Sequence, residues 1–340
     1  MSFFKKNTSI EFLAIGDIVT DAFIRITEAH TDCDNGHCEL CLAYGDKVPF
    51  ESVDIIPAVG NSANAAVAAA RLGLNAALVA GIGDDKEGQE CLAALKKEHV
   101  VTDYISINKG KKTNYHYVLW YEKDRTILVK HEIFTYTLPT KTVPQWLYLS
   151  SLGGNTETFH DEIANYVEQH AEMKLVFQPG TFQMKLGTER LARIYKQTEL
   201  FFCNVEEAER ILNLLSQAHV EKHTHVKNLL NGIHALGPKI VVITDGPDGS
   251  YGSDGQKQFF LDAYPDQKPA FERTGAGDCF ASTTTVGIIQ GKTLEESMKW
   301  GSINSMSVVQ EIGAQRGLLT KDKIEAFLKT APEGWNAQAL

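Results

Sequence analysis

Short apolar runs alternate along the chain with longer segments of helical periodicity. The runs predict buried strands because each is brief and ends at a polar residue or a glycine. They lie at 12–16, 77–80, 147–150, 175–177, 200–203 and 240–244. The segments at 62–72 and 88–98 predict helices, and the first ends beside Gly73, a common helix cap. Strands that alternate with helices predict a mostly parallel sheet covered on both faces.

Two stretches interrupt this alternation. Residues 22–52 are polar and rich in Asp, His and Cys, whereas residues 104–137 are rich in Tyr, Val, Ile and Thr. The alternation at 115–121 predicts antiparallel β structure, and both stretches are expected to form a small lid that excludes water from a reaction. Toward the C-terminus, residues 275–327 predict helices, and residues 334–340 are expected to fray.

Composition and charge narrow the function classes. The 340 residues contain 33 Lys and Arg against 43 Asp and Glu, which gives a net charge of −10. An acidic chain without a basic patch is not expected to bind nucleic acid. No apolar run reaches transmembrane length and residues 1–10 lack the apolar core of a signal peptide, so we expect no membrane contact and a cytoplasmic location. The length fits two domains or one large α/β domain with an appendage.

The cysteines fall into two groups. Three stand alone in apolar or helical surroundings and are expected to be buried thiols: Cys91, Cys203 and Cys279. The other three, Cys33, Cys38 and Cys41, lie close to His30 and His37. Three thiolates and one imidazole could complete a tetrahedral zinc site, and the alternative is a lid loop with free thiols.

A glycine-rich turn precedes one of the C-terminal helical segments. Gly275, Ala276 and Gly277 lead into a helical pattern that runs to about residue 290. Successive N–H groups at such a turn form a concave anion site. Asp278 follows in the first helical turn, where a carboxylate either complements the helix dipole or acts as a general base toward a hydroxyl that attacks a phosphoryl group. Both interpretations fit the spacing.

Five motif-like segments lie along the chain, at 60–73, 81–88, 204–207, 244–249 and 273–281. Together and in this order they resemble the motifs of the PfkB/ribokinase family of small-molecule kinases, the last being similar to its GAGD motif. The resemblance implies an α/β fold, a ribokinase-like Rossmann-type three-layer sandwich with a mostly parallel central sheet and a small β-sheet lid. It also implies one domain over residues 1–340, with the lid formed from about 22–52 and 104–137.

The resemblance implies a role for each matched residue on the phosphate side. Asp278 would be the general base, and the N–H groups of 275–277 would form the anion hole. Glu207, with Asn204, would organise Mg²⁺ through water, although a helix capping box has the same pattern. The implied nucleotide-binding residues are Asn204, Thr244, Gly246, Gly249 and Asn304.

The acceptor side is implied by the first strand and the first glycine motif. Asp21 fits the position that holds acceptor hydroxyls, with Asp17 beside it, and a second wall is expected from Gly60, Asn61 and Asn64. Carboxylates and amides suit polyols because each can hold two neighbouring hydroxyls. The alternative is that the two aspartates only terminate a strand.

Three positions depart from the family pattern. Val59 stands where a paired glycine is usual, so the backbone approach there is expected to differ. Glu272 stands where many members have an aspartate that helps to hold a monovalent cation, which leaves activation by K⁺ open. Residues 178–180 lack the acidic and Asn pattern of fructose and ketodeoxygluconate kinases, which disfavours those substrates.

The resemblance therefore predicts an ATP- and Mg²⁺-dependent kinase for a hydroxymethyl group of a sugar, with ribose first. The alternative enzyme is a nucleoside kinase of the adenosine type, in which Trp120, Tyr117 or Phe134 would stack on the base. A sugar or nucleotide sensor on the same fold has no need of the Asp278 base. An exposed β lid also predicts a homodimer through the lid. The basic lid residues either reach a sugar phosphate or form a solvated face, and they are Arg125, Lys130 and His131.

Overall fold

The computed structural model describes residues 9–34, 37–122, 124–214 and 221–340. Within these residues the strands are β1 (Phe12–Ile15), β2 (Val19–Ile26), β3 (His30–Asp34), β4 (His37–Cys41), β5 (Phe50–Val59), β6 (Ala76–Gly83), β7 (Ile105–Asn108), β8 (Asn114–Tyr121), β9 (Asp124–Lys130), β10 (Trp146–Leu149), β11 (Lys174–Phe177), β12 (Thr198–Asn204), β13 (Ile240–Thr244), β14 (Ser250–Ser253), β15 (Gln258–Leu261) and β16 (Gln338–Ala339). The α-helices are α1 (Asn61–Arg71), α2 (Lys86–Lys97), α3 (Glu157–Gln169), α4 (Thr181–Arg190), α5 (Ala192–Gln197), α6 (Val205–Leu212), α7 (Lys222–Leu236), α8 (Ala276–Ile289), α9 (Leu294–Val308) and α10 (Lys321–Lys329).

The main sheet has ten strands in the order β16-β15-β14-β13-β12-β11-β10-β1-β6-β7. The seven strands from β13 to β7 run parallel, and β14, β15 and β16 add an antiparallel edge. The prediction of a mostly parallel sheet is confirmed. Every apolar run assigned to a strand from the sequence lies in this sheet, within a few residues of the predicted bounds.

Helices cover both faces of the main sheet. Alternate residues of β1 enter different cores: Phe12 packs in the layer that contains α1, α8 and α9, whereas Leu13 packs in the layer of α3, α5 and α7. All four residues of β1 are buried, as expected for a strand with helices on either side. The three-layer α/β sandwich is therefore confirmed. Helix α1 buries the run 62–69, which is mostly alanine, and its small side chains allow close packing on the sheet and on α8.

A second, smaller sheet has the order β5-β2-β8-β9. The outer pairs are antiparallel as predicted, but β2 and β8 run parallel, with Asp21 opposite His116. The sheet is longer than the sequence suggested, since β2 begins at Val19 and β5 continues to Val59. Strands β3 and β4 form a separate exposed hairpin.

The zinc hypothesis for the cysteine cluster is wrong in this structure. Cys33 and Cys38 lie opposite each other in the β3–β4 hairpin and form a disulfide, which removes two of the three thiolates that zinc would need. The alternative of a lid loop with free thiols is also wrong for Cys33 and Cys38 and holds for Cys41, which is free. The side chain of His37 lies outside the described residues. No group of three or more His, Cys, Asp or Glu in the described ranges is placed to hold a metal ion. The three isolated cysteines are buried free thiols, as predicted.

The C-terminal residues are ordered into the sheet, so the prediction that 334–340 fray is wrong. Gln338 and Ala339 pair with β15, and the backbone N–H of Leu340 donates to the carbonyl of Gln258 at 2.9 Å. Trp335 is buried, and its indole N–H donates to the carbonyl of Asp262 at 2.9 Å. This aromatic anchor holds the chain against the sheet edge. Across the described ranges, no helix has the length and apolar character needed to cross a membrane.

Candidate active site

Asp278 is buried at the N-terminus of α8 and accepts hydrogen bonds from three side-chain amides. Asn61 donates to its Oδ1 at 2.7 Å, Asn64 to its Oδ2 at 2.8 Å and Gln178 to its Oδ1 at 3.2 Å. The first two donors lie on α1, so the starts of α1 and α8 meet at this carboxylate. The sequence placed Asn61 and Asn64 in an acceptor wall, whereas in the structure their N–H groups are directed to Asp278.

Further contacts fix the orientation of these amides. The Oε1 atom of Gln178 accepts from the buried Tyr148 hydroxyl, which leaves the Gln178 amide N–H to face Asp278. Likewise the Oδ1 atom of Asn64 accepts from Gln315 at 2.9 Å. Donors held in this way cannot rotate without breaking a second hydrogen bond, so the carboxylate is held in one orientation.

The electrostatics of the site make Asp278 a better base than a surface aspartate. Burial raises the pKa of the Asp278 carboxyl, and the amides of Asn64, Asn61 and Gln178 offset part of that rise. A carboxylate with a raised pKa accepts a proton more readily than an ordinary aspartate. The arrangement suits a general base.

The turn before Asp278 depends on glycine at Gly275. Its φ of 78° is in the left-handed region, and a Cβ there would lie 2.2 Å from the Cβ of Ala314. At Gly277, in contrast, a Cβ would meet no atom of the described residues within 4 Å, which leaves open space beside the first turn of α8. Backbone N–H groups at the start of a helix of this length attract anions.

Asp17 follows β1 and is already held by the protein. Its Oδ1 accepts from the hydroxyl of Tyr136, its Oδ2 accepts from the N–H of Gly153 at 2.7 Å, and His131 Nδ1 lies 3.4 Å from the same Oδ2. Burial, followed by the negative charge of Asp17, raises the pKa of the Tyr136 hydroxyl far above its usual range. Asp17 therefore connects the end of β1 to the segments that carry Tyr136 and Gly153.

Asp21 lies on β2 and has more capacity for a ligand. Its side chain is buried, and among the described residues its Oδ1 has no hydrogen-bond partner. His116 Nδ1 lies 3.3 Å from that oxygen without the alignment of a hydrogen bond. An unpaired buried carboxylate oxygen is costly unless a ligand or water satisfies it. Sequence reasoning missed His116, and the signal for it is the strand alternation combined with the Asp21–His116 register.

Gly60 is required where β5 passes into α1. Its φ is 110°, and a Cβ there would lie 2.6 Å from the carbonyl oxygen of Asp17. Val59, which stands where the family usually has a second glycine, fits here because it is buried at the end of β5 and pairs with Val19. One glycine, Gly60, is thus enough for the backbone before α1 to approach the carbonyl of Asp17.

Asn204 and Glu207 form a reciprocal capping box at the start of α6. The Asn204 Oδ1 accepts from the N–H of Glu207 at 2.8 Å, and Glu207 Oε2 accepts from the N–H of Asn204 at 2.9 Å. Burial raises the pKa of the Glu207 carboxyl, and the negative charge of Asp278 acts in the same direction. A half-buried carboxylate whose charge interacts with that of Asp278 fits a magnesium ion that is held chiefly by phosphates and water.

The predicted nucleotide loop follows β13. Gly249 has a φ of 105°, and a Cβ there would lie 2.4 Å from the carbonyl oxygen of Leu261. Thr244 ends β13, and Gly246 begins a short 3₁₀ turn with a φ of 55°. Lys222, which sequence reasoning missed, lies 2.7 Å from carboxylate oxygens of both aspartates of the loop, Asp245 and Asp248.

Asn304 is not on the surface of the site. Its side chain is fully buried, its Nδ2 donates to Thr283 at 2.8 Å and its Oδ1 accepts from the N–H of Leu319 at 2.8 Å. These bonds connect α9 to α8 and to the segment before α10. The structure therefore gives Asn304 a packing role rather than a contact with adenine.

Glu272 is paired with an arginine of the small sheet. Arg125 donates to its Oε1 at 2.7 Å, and the N–H of Thr274 donates to the same oxygen at 2.7 Å. The buried Oε2 has no hydrogen-bond partner among the described residues. Arg125 balances the charge of Glu272, while the unpartnered Oε2 keeps capacity for a ligand.

Comparison with known proteins agrees with this geometry. The sequence model of a protein family, described as "pfkB family carbohydrate kinase", matches residues 51–321 of this chain. The ribokinase of Bacillus subtilis is 26% identical over 301 residues, which cover 84% of this chain and 92% of that protein. Two solved structures share the fold: the nucleoside kinase of Methanocaldococcus jannaschii, with a TM-score of 0.75, 20% identity and coverage of 95% and 99%, and the Arabidopsis thaliana ribokinase complexed with ribose and ATP, with a TM-score of 0.76, 18% identity and coverage of 95% and 99%.

The family match spans the acceptor-side helix α1, the capping box at α6, the loop after β13 and the turn before α8. Of these elements, α1 supplies the Asn61 and Asn64 amides to Asp278, which itself lies at the start of α8. The chain therefore belongs to the pfkB family of carbohydrate kinases and is a phosphotransferase that acts on an alcohol group.

Proposed function

We propose that this protein transfers the γ-phosphoryl group of ATP to a hydroxymethyl group of a sugar, with D-ribose as the first candidate. One observation carries the proposal: Asp278 is a buried carboxylate with a raised pKa, held by three amides beside the open Gly277 end of a helix. A base next to an anion-binding turn is what phosphoryl transfer to a hydroxyl needs. A sensor has no use for such a base.

In this mechanism Asp278 removes the proton of the attacking hydroxyl. Asn61, Asn64 and Gln178 hold its carboxylate in one direction, and the N–H groups at the start of α8 stabilise negative charge on the transferred group. Bound Mg²⁺ supplies charge neutralisation for the phosphates, and Glu207, with Asn204, would hold it through water. The small sheet acts as a lid that keeps water from the reacting atoms.

The charges near Asp17 and Asp21 support an uncharged acceptor. Among the described residues no Lys or Arg nitrogen lies within 4 Å of either carboxylate, and the basic side chains beside them are the imidazoles of His116 and His131. A sugar phosphate would bring two negative charges toward these carboxylates at a cost. Arg125 and Lys130 are paired with Glu272 and Glu132 instead. Ribose, bound by the Arabidopsis relative, has the required chemistry.

A nucleoside remains the second candidate because an aromatic ring lies beside the same pocket. Phe182 meets His131 edge-on, with ring centroids 5.9 Å apart. The three stacking residues expected from the sequence are placed elsewhere. Trp120 packs on Phe271, Phe134 is buried under Gly81, and Tyr117 neighbours His116 in β8 and so points to the opposite face.

A coupled ADP-release assay tests the proposal. Purified protein with ATP and Mg²⁺ is offered ribose, fructose, fructose phosphate, adenosine, cytidine and inosine, each with and without K⁺. We expect turnover of ribose. A rate that rises with K⁺ would indicate that the unpartnered Oε2 of Glu272 takes part in a cation site. Turnover of nucleosides alone would replace ribose by the second candidate. No acceptor-dependent ADP release with any compound would contradict a small-molecule kinase of either kind.

We also propose a cytoplasmic homodimer that pairs through the outer face of the small sheet. Val53, Ile55, Tyr117 and Leu128 are 47%, 54%, 48% and 52% exposed and lie on the face opposite His116. A contiguous apolar face of this kind marks an interaction surface, and a symmetric pair covers both copies at once.

Light scattering at several concentrations tests the dimer. The wild type is expected at twice the chain mass, and Tyr117→Glu is expected at the chain mass because a charge would be buried in the contact. Ile107→Glu, at an exposed position on the main-sheet strand β7, is the matched control and should remain dimeric. A monomeric wild type would end this proposal.

A further inference from the structure

A short segment between α9 and α10 lies against the core of the small sheet. It comprises residues 312–315, and we call it the connecting segment. Ile312 packs on the apolar core of the small sheet. The backbone of Gly313 comes equally close, because a Cβ there would lie 2.4 Å from the Cδ1 atom of Ile56 and 3.8 Å from the Cε2 atom of Phe23. The connecting segment is therefore in direct contact with β5 and β2.

The last residue of the connecting segment, Gln315, joins β5 to the general base. Its Nε2 atom carries two N–H groups. One donates to the backbone carbonyl of Ala58 in β5 at 2.8 Å, and the other donates to the Oδ1 atom of Asn64 at 2.9 Å. Asn64 in turn donates to Asp278 Oδ2 at 2.8 Å. A single side-chain amide thus connects a strand of the small sheet to the carboxylate that is proposed to remove the proton.

Gln315 also determines which end of the Asn64 amide faces Asp278. The oxygen and the nitrogen of an asparagine amide are similar in size, but only the nitrogen donates. Because Gln315 donates to the Asn64 oxygen, the Asn64 N–H groups are left to face Asp278. Without Gln315 the amide would be free to turn its oxygen toward the carboxylate, and the hydrogen bond to the base would be lost.

The backbone of Ala58 is held in an unusual conformation where it meets Gln315. Its φ of 60° is in the left-handed region, which is costly for a residue other than glycine. Its N–H donates to the buried Sγ atom of Cys91 at 3.2 Å, while its carbonyl accepts from Gln315. The register of β2 against β5 also shifts between Val19 and Asp21, as at a β-bulge. Strain of this kind persists where surrounding contacts enforce it, and it is concentrated at functional sites.

The backbone of Gln315 is fixed independently by Arg71 at the end of α1. One terminal nitrogen of Arg71 donates to the carbonyls of Gln315 and Leu318 at 2.8 and 3.0 Å. The other two guanidinium nitrogens form a bidentate pair with Glu98 at 2.7 and 2.8 Å. Since the backbone of Gln315 is held in this way, the bond from its side chain to Ala58 depends on where β5 lies.

We propose that Gln315 is a positioning residue that aligns Asp278 only while β5 of the small sheet lies against the connecting segment. In that arrangement Ala58 and Asn64 share the Gln315 amide, and Asn64 donates to the base. When β5 moves away, the Gln315 amide loses one acceptor and no longer fixes the Asn64 amide, so that phosphoryl transfer waits for the closed lid. The proposal rests on the kinase function and on the lid assigned under Proposed function.

The first test separates kcat from KM. Gln315→Met keeps the length of the side chain and removes both donors, so kcat for the acceptor that the ADP-release assay identifies should fall about tenfold. The KM values for ATP and for the acceptor should change less than about twofold. Gln290→Met is the matched control, because Gln290 is also half-buried and donates to a backbone carbonyl, that of Leu72, at 3.0 Å. The control should keep the wild-type kcat. A wild-type kcat in Gln315→Met would refute the positioning role.

The second test asks whether Gln315 acts through Asn64. Asn64→Leu removes the amide that Gln315 orients, and its own kcat should be at least about tenfold below that of the wild type. Adding Gln315→Met to this variant should change kcat less than about twofold, because the effect has already been removed. A further tenfold loss in the double variant would show that Gln315 acts independently of Asn64 and would overturn the proposal.

The third test asks whether the small sheet acts through Gln315. Ile56→Val removes the Cδ1 atom that faces Gly313, and it should lower kcat about threefold in the wild type but less than about twofold in Gln315→Met. Val118→Ala is the matched control, because it removes apolar volume from the same core on β8, and it should keep the wild-type kcat. Equal losses from Ile56→Val in both backgrounds, or a wild-type kcat in Ile56→Val, would refute the coupling to the small sheet. Absence of acceptor turnover by the wild type would instead refute the proposed function.

Discussion

Replacement of Asp278 by asparagine is expected to lower kcat about a thousandfold and to leave the KM for ATP within a few-fold of the wild type. A general base typically contributes 10²–10⁴-fold, and asparagine keeps the size of the side chain while removing its basicity. The measurement is steady-state ADP release, with nucleotide affinity determined separately by calorimetry. Asp322→Asn is the matched control, because Asp322 also lies in the first turn of a helix, α10, but is exposed.

The Asp322→Asn control separates two possible roles of the Asp278 carboxylate, general base and partner of the helix dipole. If the carboxylate only complemented the helix dipole, its loss would cost about 0.3–1 kcal/mol of stability and little activity, as expected for Asp322. A variant at Asp278 with full turnover would therefore contradict the role of base. A variant that loses nucleotide binding and turnover together would show that the substitution had distorted the turn.

The raised pKa of Asp278 fixes the direction of two pH effects. Since the ionised form is the base, turnover should fall as pH drops through the folded-state pKa, which lies above the ordinary aspartate value. The stability effect has the opposite sign. A carboxyl whose pKa is higher in the folded state destabilises the fold once pH exceeds its unfolded value, because folding then disfavours the charged form. Asp278→Asn removes this penalty, but its Nδ2 would face the Asn64 N–H that now donates to Oδ2, and the lost hydrogen bond offsets the gain. We therefore expect a stability close to that of the wild type at pH 7.

The fold and the base could be predicted from the sequence because their signals are local. A buried parallel strand is a short apolar run, and a glycine turn followed by an acidic residue can be recognised within nine residues. The amides that hold Asp278 could not be assigned in this way. They are 217, 214 and 100 residues away in the chain. The packing of α1 against α8 brings Asn61 and Asn64 to the carboxylate, and the end of β11 brings Gln178.

The errors at Cys33 and Cys38 and at the C-terminus have a similar origin. A hairpin register places the two sulfurs opposite each other, and no property of the spacing distinguishes that pairing from a metal site before the register is known. The strand at 338–339 has two residues and no propensity of its own. It forms because Trp335 is buried nearby, which is a tertiary effect.

Replacement of Gly275 by alanine is expected to reduce both stability and activity. Alanine in the left-handed region costs about 1 kcal/mol, and the new Cβ would lie 2.2 Å from the Cβ and 2.6 Å from the Cα of Ala314, so backbone must shift. Overpacking of this kind adds about 1–3 kcal/mol. The free energy of unfolding should fall by roughly 2–4 kcal/mol in total. Displaced N–H donors should lower kcat by at least about a hundredfold.

Gly291→Ala is the matched control for the backbone strain alone. Gly291 follows the C-terminus of the same helix with a φ of 83°, and a Cβ there meets no described atom within 4 Å. It should lose about 1 kcal/mol of stability and no activity. Equal stability losses at Gly291 and Gly275 would show that the contact with Ala314 relaxes at no cost.

Gly277→Ala separates activity from stability at the same turn. Gly277 lies within α8 without a positive φ, so alanine should raise the free energy of unfolding by up to about 1 kcal/mol through helix propensity. The methyl group would nevertheless project into the open space proposed for the transferred phosphoryl group, and a displacement of about 1 Å there costs roughly a hundredfold in kcat. Chemical denaturation and ADP release measured on one preparation should therefore give a variant that is more stable than the wild type and nearly inactive. A stabilised variant with wild-type kcat would place the phosphoryl group elsewhere, and the function proposed for the Gly275–Gly277 turn would then be wrong even if Asp278 remained the base.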